Sequence, residues 1–467
     1  MHKIFSFLPS IILKDCFLSP LRLLFGHGFH GHHGEDPFIN ALFREIQCNP
    51  CCPCQKRVVK KHFLRAGLLL SLLISSCSPP ASSPNATGSP FPDIINPTQT
   101  SCTTLIAEPT PGPDAASLFP PESEEDHTRG AENPAVTIIA YIDYQDIRSK
   151  FFVDVTNRLL AESPNDVRVL YRIVPLIGVL DKASLSAQAV EAAQNQNKFW
   201  EMHDLLYTQH QNWSQLSDPD FEQWLIAQAS SLPQMNVEQF KSDLESEEVL
   251  AKVQKLVKEG QRIGIPGVPL ILINGQIYNG PRDYTSFNDI LQLILLGKRQ
   301  FASCPPLTVQ TNKQYIATLH TEKGDIVIQL FADKAPITVN SFIFLARSGW
   351  YDDITFHRVI PDLFAQTGDP SGTGKGNPGY YIITEIVPSL TFNKPGVVAM
   401  VNSGPDTSGS QFFITYVPTA QFDGKFTIFG QVLRGMDVLE SLTPRDAQPG
   451  TETMLGDRLL NVVIEEK

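Results

Sequence analysis

The arrangement of apolar runs differs on either side of about residue 300, and the difference divides the body of the chain into two kinds of fold. Before it, continuous β-branched runs alternate with helical stretches. Val136–Asp143 (VTIIAYID) is nearly all apolar, as expected of a central strand covered on both faces. Phe151–Leu160 predicts a helix, Val167–Val174 (VRVLYRIV) a second strand, and Ser184–Thr208 one long helical stretch. Phe221–Ala229 and Val237–Leu244 predict further helices. In Ser246–Ile263 the residues Val249, Leu250, Val253, Leu256 and Val257 recur at helical spacing, with Ser246 placed to cap. Gly267–Ile273 (GVPLILI) reads as a strand, Asn274-Gly275 as a hairpin turn, and Tyr284–Leu296 as a closing helix. Past residue 312 the runs become short and the loops rich in glycine. Tyr315–Leu319, Asp325–Leu330, Thr355–Val359, Phe364–Thr367, Val397–Val401, Gln411–Thr415, Thr427–Val432 and Arg458–Glu465 are strand-length, with one helix over Ala335–Ser348. Such a series predicts a barrel or sandwich.

The N-terminal part is of another kind. Lys56–Arg65 is basic, Ala66–Ile74 (AGLLLSLLI) apolar, and Ser75-Ser76-Cys77 follows. A basic region, a short apolar region and small residues before a cut make a secretory signal. The apolar run is short of the roughly 20 residues that span a bilayer. Ile74-Ser75-Ser76-Cys77 resembles a bacterial lipobox, which implies that 56–77 is a lipoprotein signal and that Cys77 carries the lipid. Residues 78–131, rich in Pro, Ser and Thr, carry no period and are expected to be a disordered tether. Residues 1–55 hold His27, His30, His32, His33 and Cys48, Cys51, Cys52, Cys54. They form either a metal-binding head or a doubtful extension upstream of a true start near Val58 or Val59.

The net charge is −12, and residues 1–77 are net basic, so the rest is more acidic still. That argues against nucleic acid, whose phosphates need a basic face. Past Cys77 only Cys102 and Cys304 remain, too few for a disulfide scaffold or a zinc site. Cys102 is either a free thiol or paired with Cys304, which sits in the 301–311 linker.

Two stretches carry the chemistry. In Phe356–Asp369 (FHRVIPDLFAQTGD), Arg358 lies in an apolar run with Gln366 beyond it. Either its head reaches water at a strand end, or a guanidinium and an amide face a half-apolar groove. Met400–Ile414 (MVNSGPDTSGSQFFI) has the same character. With GTGKGNPGY and FDGKFTIFGQV they resemble, in order, the cyclophilin family of peptidyl-prolyl cis/trans isomerases over 312–467. The resemblance implies a mainly-β closed eight-stranded barrel with capping helices. It implies Arg358 as the catalytic residue. Leu363, Phe364, Gln366, Met400, Val401, Asn402, Gln411, Phe413 and Phe422 would bind substrate. Leu363, Gln421 and Phe426 depart from the family's usual phenylalanine, tryptophan and histidine, and Gln421 puts tight cyclosporin binding in doubt.

Residues 133–300 resemble the thioredoxin superfamily, specifically its DsbA-like branch, an α/β fold with a helical insertion. Pro269 matches that family's cis-proline. The Cys-x-x-Cys of the family is replaced by Asp146-Ile147-Arg148-Ser149, so no thiolate is available for disulfide exchange. What survives is either a peptide-facing surface or a structural spacer.

The expectation is therefore a multidomain, exported protein, lipid-anchored to the outer face of a bacterial membrane, that isomerises prolyl bonds in exported clients. The alternative is a non-catalytic chaperone using the redox-dead domain and the groove. Prolyl rotation makes and breaks no covalent bond, so neither metal nor cofactor is called for. Partners are proline-containing polypeptides and, through the lipid alone, a membrane.

Overall fold

The computed structural model describes residues 101–105, 119–124, 126–446 and 456–467. The extension 1–55, the signal 56–77 with Cys77, and 78–100 and 106–118 of the tether lie outside the described residues.

The strands are β1 (Cys102–Thr104), β2 (His127–Gly130), β3 (Val136–Ile142), β4 (Val167–Ile173), β5 (Leu270–Ile273) and β6 (Gln276–Ile277). The helices of this half are α1 (Ile147–Glu162), α2 (Ala183–Gln194), α3 (Phe199–Thr208), α4 (His210–Trp213), α5 (Asp218–Ala229), α6 (Val237–Leu244), α7 (Glu247–Ile263) and α8 (Tyr284–Gly297). The sheet order is β2-β4-β3-β5-β6, with β3 and β4 parallel and the other pairs antiparallel. The parallel pair needs a crossover, and α1 supplies it. Asp146 and Ser149 form that helix's N-terminal cap. Asp146 Oδ2 accepts from Ser149 N at 2.8 Å and from Ser149 Oγ at 3.0 Å. The Val268–Pro269 peptide is cis. The single helical stretch expected over Ser184–Thr208 is two helices, α2 and α3, because Asn197 between them takes φ +57°, which ends a right-handed helix. Trp213 is fully buried and stacks on Phe221 at 4.6 Å.

The tether does not run unbroken to 131. Cys102–Thr104 pairs with β12 (Tyr380–Ile382), and Cys102 is disulfide-bonded to Cys304. His127–Gly130 adds an edge strand to β4, where Arg172 Nε and Nη2 grip both carboxylate oxygens of Asp126 at 2.7 Å. Pairing to distant strands orders what local composition would leave loose.

The second half comprises β7 (Tyr315–Thr321), β8 (Gly324–Leu330), α9 (Pro336–Arg347), β9 (Ile354–Thr355), β10 (Arg358–Ile360), β11 (Phe364–Thr367), β12, β13 (Val397–Met400), β14 (Phe412–Thr415), β15 (Ile428–Arg434), α10 (Met436–Glu440), β16 (Arg445–Asp446) and β17 (Arg458–Glu466). The closed eight-stranded barrel does not form. The sheet is a curled, ten-stranded antiparallel one in the order β16-β10-β11-β14-β13-β15-β8-β7-β17-β9. The reason is local. The run Ile354–Ile360 breaks at Phe356-His357, where Phe356 N donates to Asp457 O at 2.9 Å, so its two pieces pair at opposite ends of the sheet. That split, with the two-residue β16, accounts for the extra strands.

Candidate active site

The cross-strand register builds the site. Arg358 on β10 lies opposite Gln366 on β11, Gln366 opposite Phe413 on β14, and Phe413 opposite Ala399 on β13. Residues directly opposite share a face, and so do residues two apart on one strand. Arg358, Ile360, Phe364, Gln366 and Phe413 therefore lie on one face, and Val359, Ala365, Phe412 and Ile414 on the other. Burial separates the faces in the same way. Val359, Ala365, Phe412 and Ile414 belong to the large core under α9. Phe364, Phe392, Ala399, Phe413, Phe422, Phe426 and Ile428 form a separate apolar cluster, with Leu363 and Val401 packed on it.

Of the sequence-predicted residues, Arg358, Leu363, Phe364, Gln366, Val401, Phe413 and Phe422 come together around this cluster. Met400 does not. Its side chain is 1% exposed and belongs to the other core, so only its backbone is near. Asn402 Nδ2 donates to Lys425 O at 3.0 Å and Asn402 Oδ1 accepts from Gly404 N at 3.2 Å, which makes it a brace of the loop. Gln421 is exposed beside the buried Phe422. Pro269 is in the other half of the chain, next to β5.

Arg358 is held from outside the sequence motifs. Its Nε donates to Asp446 Oδ1 at 2.8 Å, across the β10–β16 pair in which the two residues are directly opposite. The guanidinium carbon sits 5.4 Å from the centre of the Phe364 ring. With Nε engaged, the Nη groups are the part of the fork left to act on a ligand. Asp446 carried no signal in the sequence. It lies 88 residues downstream in a two-residue strand, and only pairing brings it to Arg358.

The amides have fixed orientations. Gln411 Nε2 donates to Gly374 O at 3.0 Å and Gly376 O at 2.9 Å. Its Oε1 must then point the other way, and it accepts from Gln366 Nε2 at 2.9 Å. Gln366 Nε2 also meets His357 Nε2 at 3.1 Å. Both Gln366 amide hydrogens are thereby used, so what Gln366 offers a peptide is its Oε1, an acceptor for a backbone N–H. With Gln366 Nε2 as the donor, the neutral His357 ring accepts at Nε2 and carries its proton on Nδ1, which is buried without a hydrogen-bond partner.

Burial holds His357 below its ordinary 6.5, at about 4. Between those values the unfolded chain binds a proton that the folded chain refuses, so stability contributed by His357 is full above about 6.5 and is lost as pH falls towards 4. His127 and His203 are shifted the same way by burial. Burial raises Asp143 to about 6, which works in the opposite direction. We expect turnover to be level above pH 6.5 and to fall towards pH 4, because an imidazolium cannot accept from Gln366. A pH profile of kcat/KM checks this, and a profile that rises on acidification would contradict it.

Residues 316–464 match the family model described as cyclophilin type peptidyl-prolyl cis-trans isomerase/CLD, and residues 122–292 match the one described as thioredoxin. Peptidyl-prolyl cis-trans isomerase CYP18-1 of Arabidopsis thaliana is 43% identical over 150 residues, which is 32% of this chain and 94% of the relative. Peptidyl-prolyl cis-trans isomerase-like 1 of Mus musculus is 45% identical over 141 residues, 30% of this chain and 83% of the relative. A solved cyclophilin type peptidyl-prolyl cis-trans isomerase of Cryptosporidium parvum is 32% identical, covering 33% of this chain and 98% of that one, with a TM-score of 0.30.

Proposed function

The chain belongs to the cyclophilin-type peptidyl-prolyl cis-trans isomerases and is an enzyme of that class, and from this premise we propose how and where it works. Its substrates are proline-containing polypeptides, and the bond rotates over the apolar cluster at Phe413 with Arg358 beside it. Rotation must break amide resonance, a barrier of about 18–20 kcal/mol. In the twisted state the prolyl nitrogen becomes pyramidal and gains a lone pair. A guanidinium hydrogen aimed at that nitrogen stabilises the twisted state over the planar one. Gln366 Oε1 accepts from the peptide backbone and holds it while the ring rests on Phe364, Phe413, Leu363 and Phe422. The observation that carries this reading is the single row Arg358–Gln366–Phe413 on one sheet face, above an apolar cluster separate from the core.

The setting is outside the cytoplasm. The protein is anchored through lipid on Cys77 and assists exported chains, whose folding waits on prolyl bonds that rotate in tens to hundreds of seconds unaided. Two features support this: the lipobox-like Ile74-Ser75-Ser76-Cys77, and the Cys102–Cys304 disulfide, a bond that persists in oxidising compartments. The thioredoxin-like domain, with Asp146 and Ser149 in place of thiols, is redox-inactive. Cell fractionation with mass spectrometry of the mature N-terminus tests the setting. The expected result is a membrane-bound protein beginning at a lipidated Cys77, released to the soluble fraction by Cys77→Ala. Recovery of peptides from residues 1–76 in the mature protein would overturn it.

A further inference from the structure

The loop Asp369–Gly379 is gripped from two sides. On one side is the end of the thioredoxin-like domain. Leu296, on the last turn of α8, is 3% exposed and belongs to the apolar core of the isomerase domain. A Cβ on Gly376 would lie 2.7 Å from Leu296 Cδ2 and 2.0 Å from Asp369 Oδ1, so the loop packs closely on the Leu296 side chain of α8 and on its own Asp369. Asp289 Oδ2 and Lys375 Nζ are 3.3 Å apart. Gln300 Nε2 donates to Asn377 O and Oδ1, each at 3.1 Å, and Phe301 N donates to Pro378 O at 2.8 Å. On the other side the carbonyls of Gly374 and Gly376 receive both hydrogens of Gln411 Nε2. Those two bonds decide which way Gln411 faces, and Gln411 decides which way Gln366 faces. A loop displaced from α8 frees the Gln411 amide to rotate, and Gln366 then loses the partner that turns its Oε1 to the substrate.

We propose that α8 and the linker after it, through Leu296 and Gln300, set the substrate affinity of the isomerase groove by fixing the loop that orients Gln411 and Gln366. The thioredoxin-like domain is then a support for the isomerase. Leu296 and Gln300 are positioning residues that touch no substrate. This rests on the reading of Gln366 as a substrate contact. It predicts a change in KM with kcat kept, because ground-state and twisted-state binding through Gln366 are lost alike.

The test uses the whole protein and steady-state isomerisation of an X-Pro peptide. Leu296→Ala should raise KM about fivefold with kcat within about twofold, the loss of roughly one oriented hydrogen bond. Leu296→Met, which keeps the volume, should restore KM. Gln300→Ala, on the surface, removes only the bonds to Asn377 and should raise KM in the same direction. If Leu296→Ala fails to fold, Gln300→Ala decides alone. Unchanged KM in the folded variants, with only a lowered unfolding midpoint, would make the contact merely structural and overturn the proposal. Gln366→Ala separates the two failures. If it leaves KM unchanged, the reading of the site falls and this inference falls with it. If it raises KM while Leu296 and Gln300 do not matter, only the inference falls.

Discussion

Arg358→Ala lowers kcat/KM by about 10²–10³, the usual loss when one preorganised donor to a developing charge is removed. Most of the loss is expected on kcat, because the target proposed for this donor, the prolyl lone pair, exists only in the twisted state. Arg358→Lys recovers little. The ammonium is a point charge, and it cannot give one donor to Asp446 while presenting a second, rigidly placed one to the substrate. Folding is nearly unaffected, since the Arg358 side chain is 31% exposed and its ion pair with Asp446 is likewise open to solvent. Steady-state isomerisation with a short X-Pro peptide measures it. Equal kcat in the two proteins would show that Arg358 does not act on the reacting nitrogen.

Phe413→Ala has the largest effect on stability. The ring is 4% exposed and meets the rings of Phe364, Phe392, Phe422 and Phe426 at centroid distances of 5.5, 5.9, 5.7 and 5.2 Å. Removing such a ring costs about 3–5 kcal/mol, part transfer and part cavity. In the proposed function the same ring is the floor for a substrate proline, so KM is expected to rise together with the loss of stability. Phe413→Leu fills most of the volume and is far milder. Chemical unfolding with and without the substitution gives the first effect, and KM the second. A cost below about 1 kcal/mol would mean that the cluster collapses into the vacated space, and that the packing around Phe413 is loose.

The strands that carry Arg358, Gln366 and Phe413 were legible in the sequence because each has a strand-length apolar run with glycine-rich turns at its ends. Their juxtaposition was not. It depends on register between strands, which single-strand periodicity does not specify, and it reached the sequence reading only through family resemblance. Register also explains Met400. Ala399 is opposite Phe413, so its neighbour Met400 must face the core. Asp446 and β1 were invisible for a common reason: each is two or three residues long and is ordered by a distant partner, Arg358 in one case and β12 with Cys304 in the other. The helix over Ser184–Thr208 was read through Asn197, since helical periodicity on both sides masks a single residue of positive φ. Gln411 was seen as a pocket residue, yet its amide is spent on Gly374 and Gly376, carbonyls that carry no side-chain signal.

The central question is whether the groove turns its peptide over or only holds it. NMR exchange spectroscopy of an X-Pro peptide, with catalytic amounts of the whole protein and of Arg358→Ala, measures that. The account predicts exchange between the cis and trans signals with the native protein, and slow or absent exchange with Arg358→Ala at equal peptide binding. Binding without exchange in the native protein, or equal exchange in both, would contradict it.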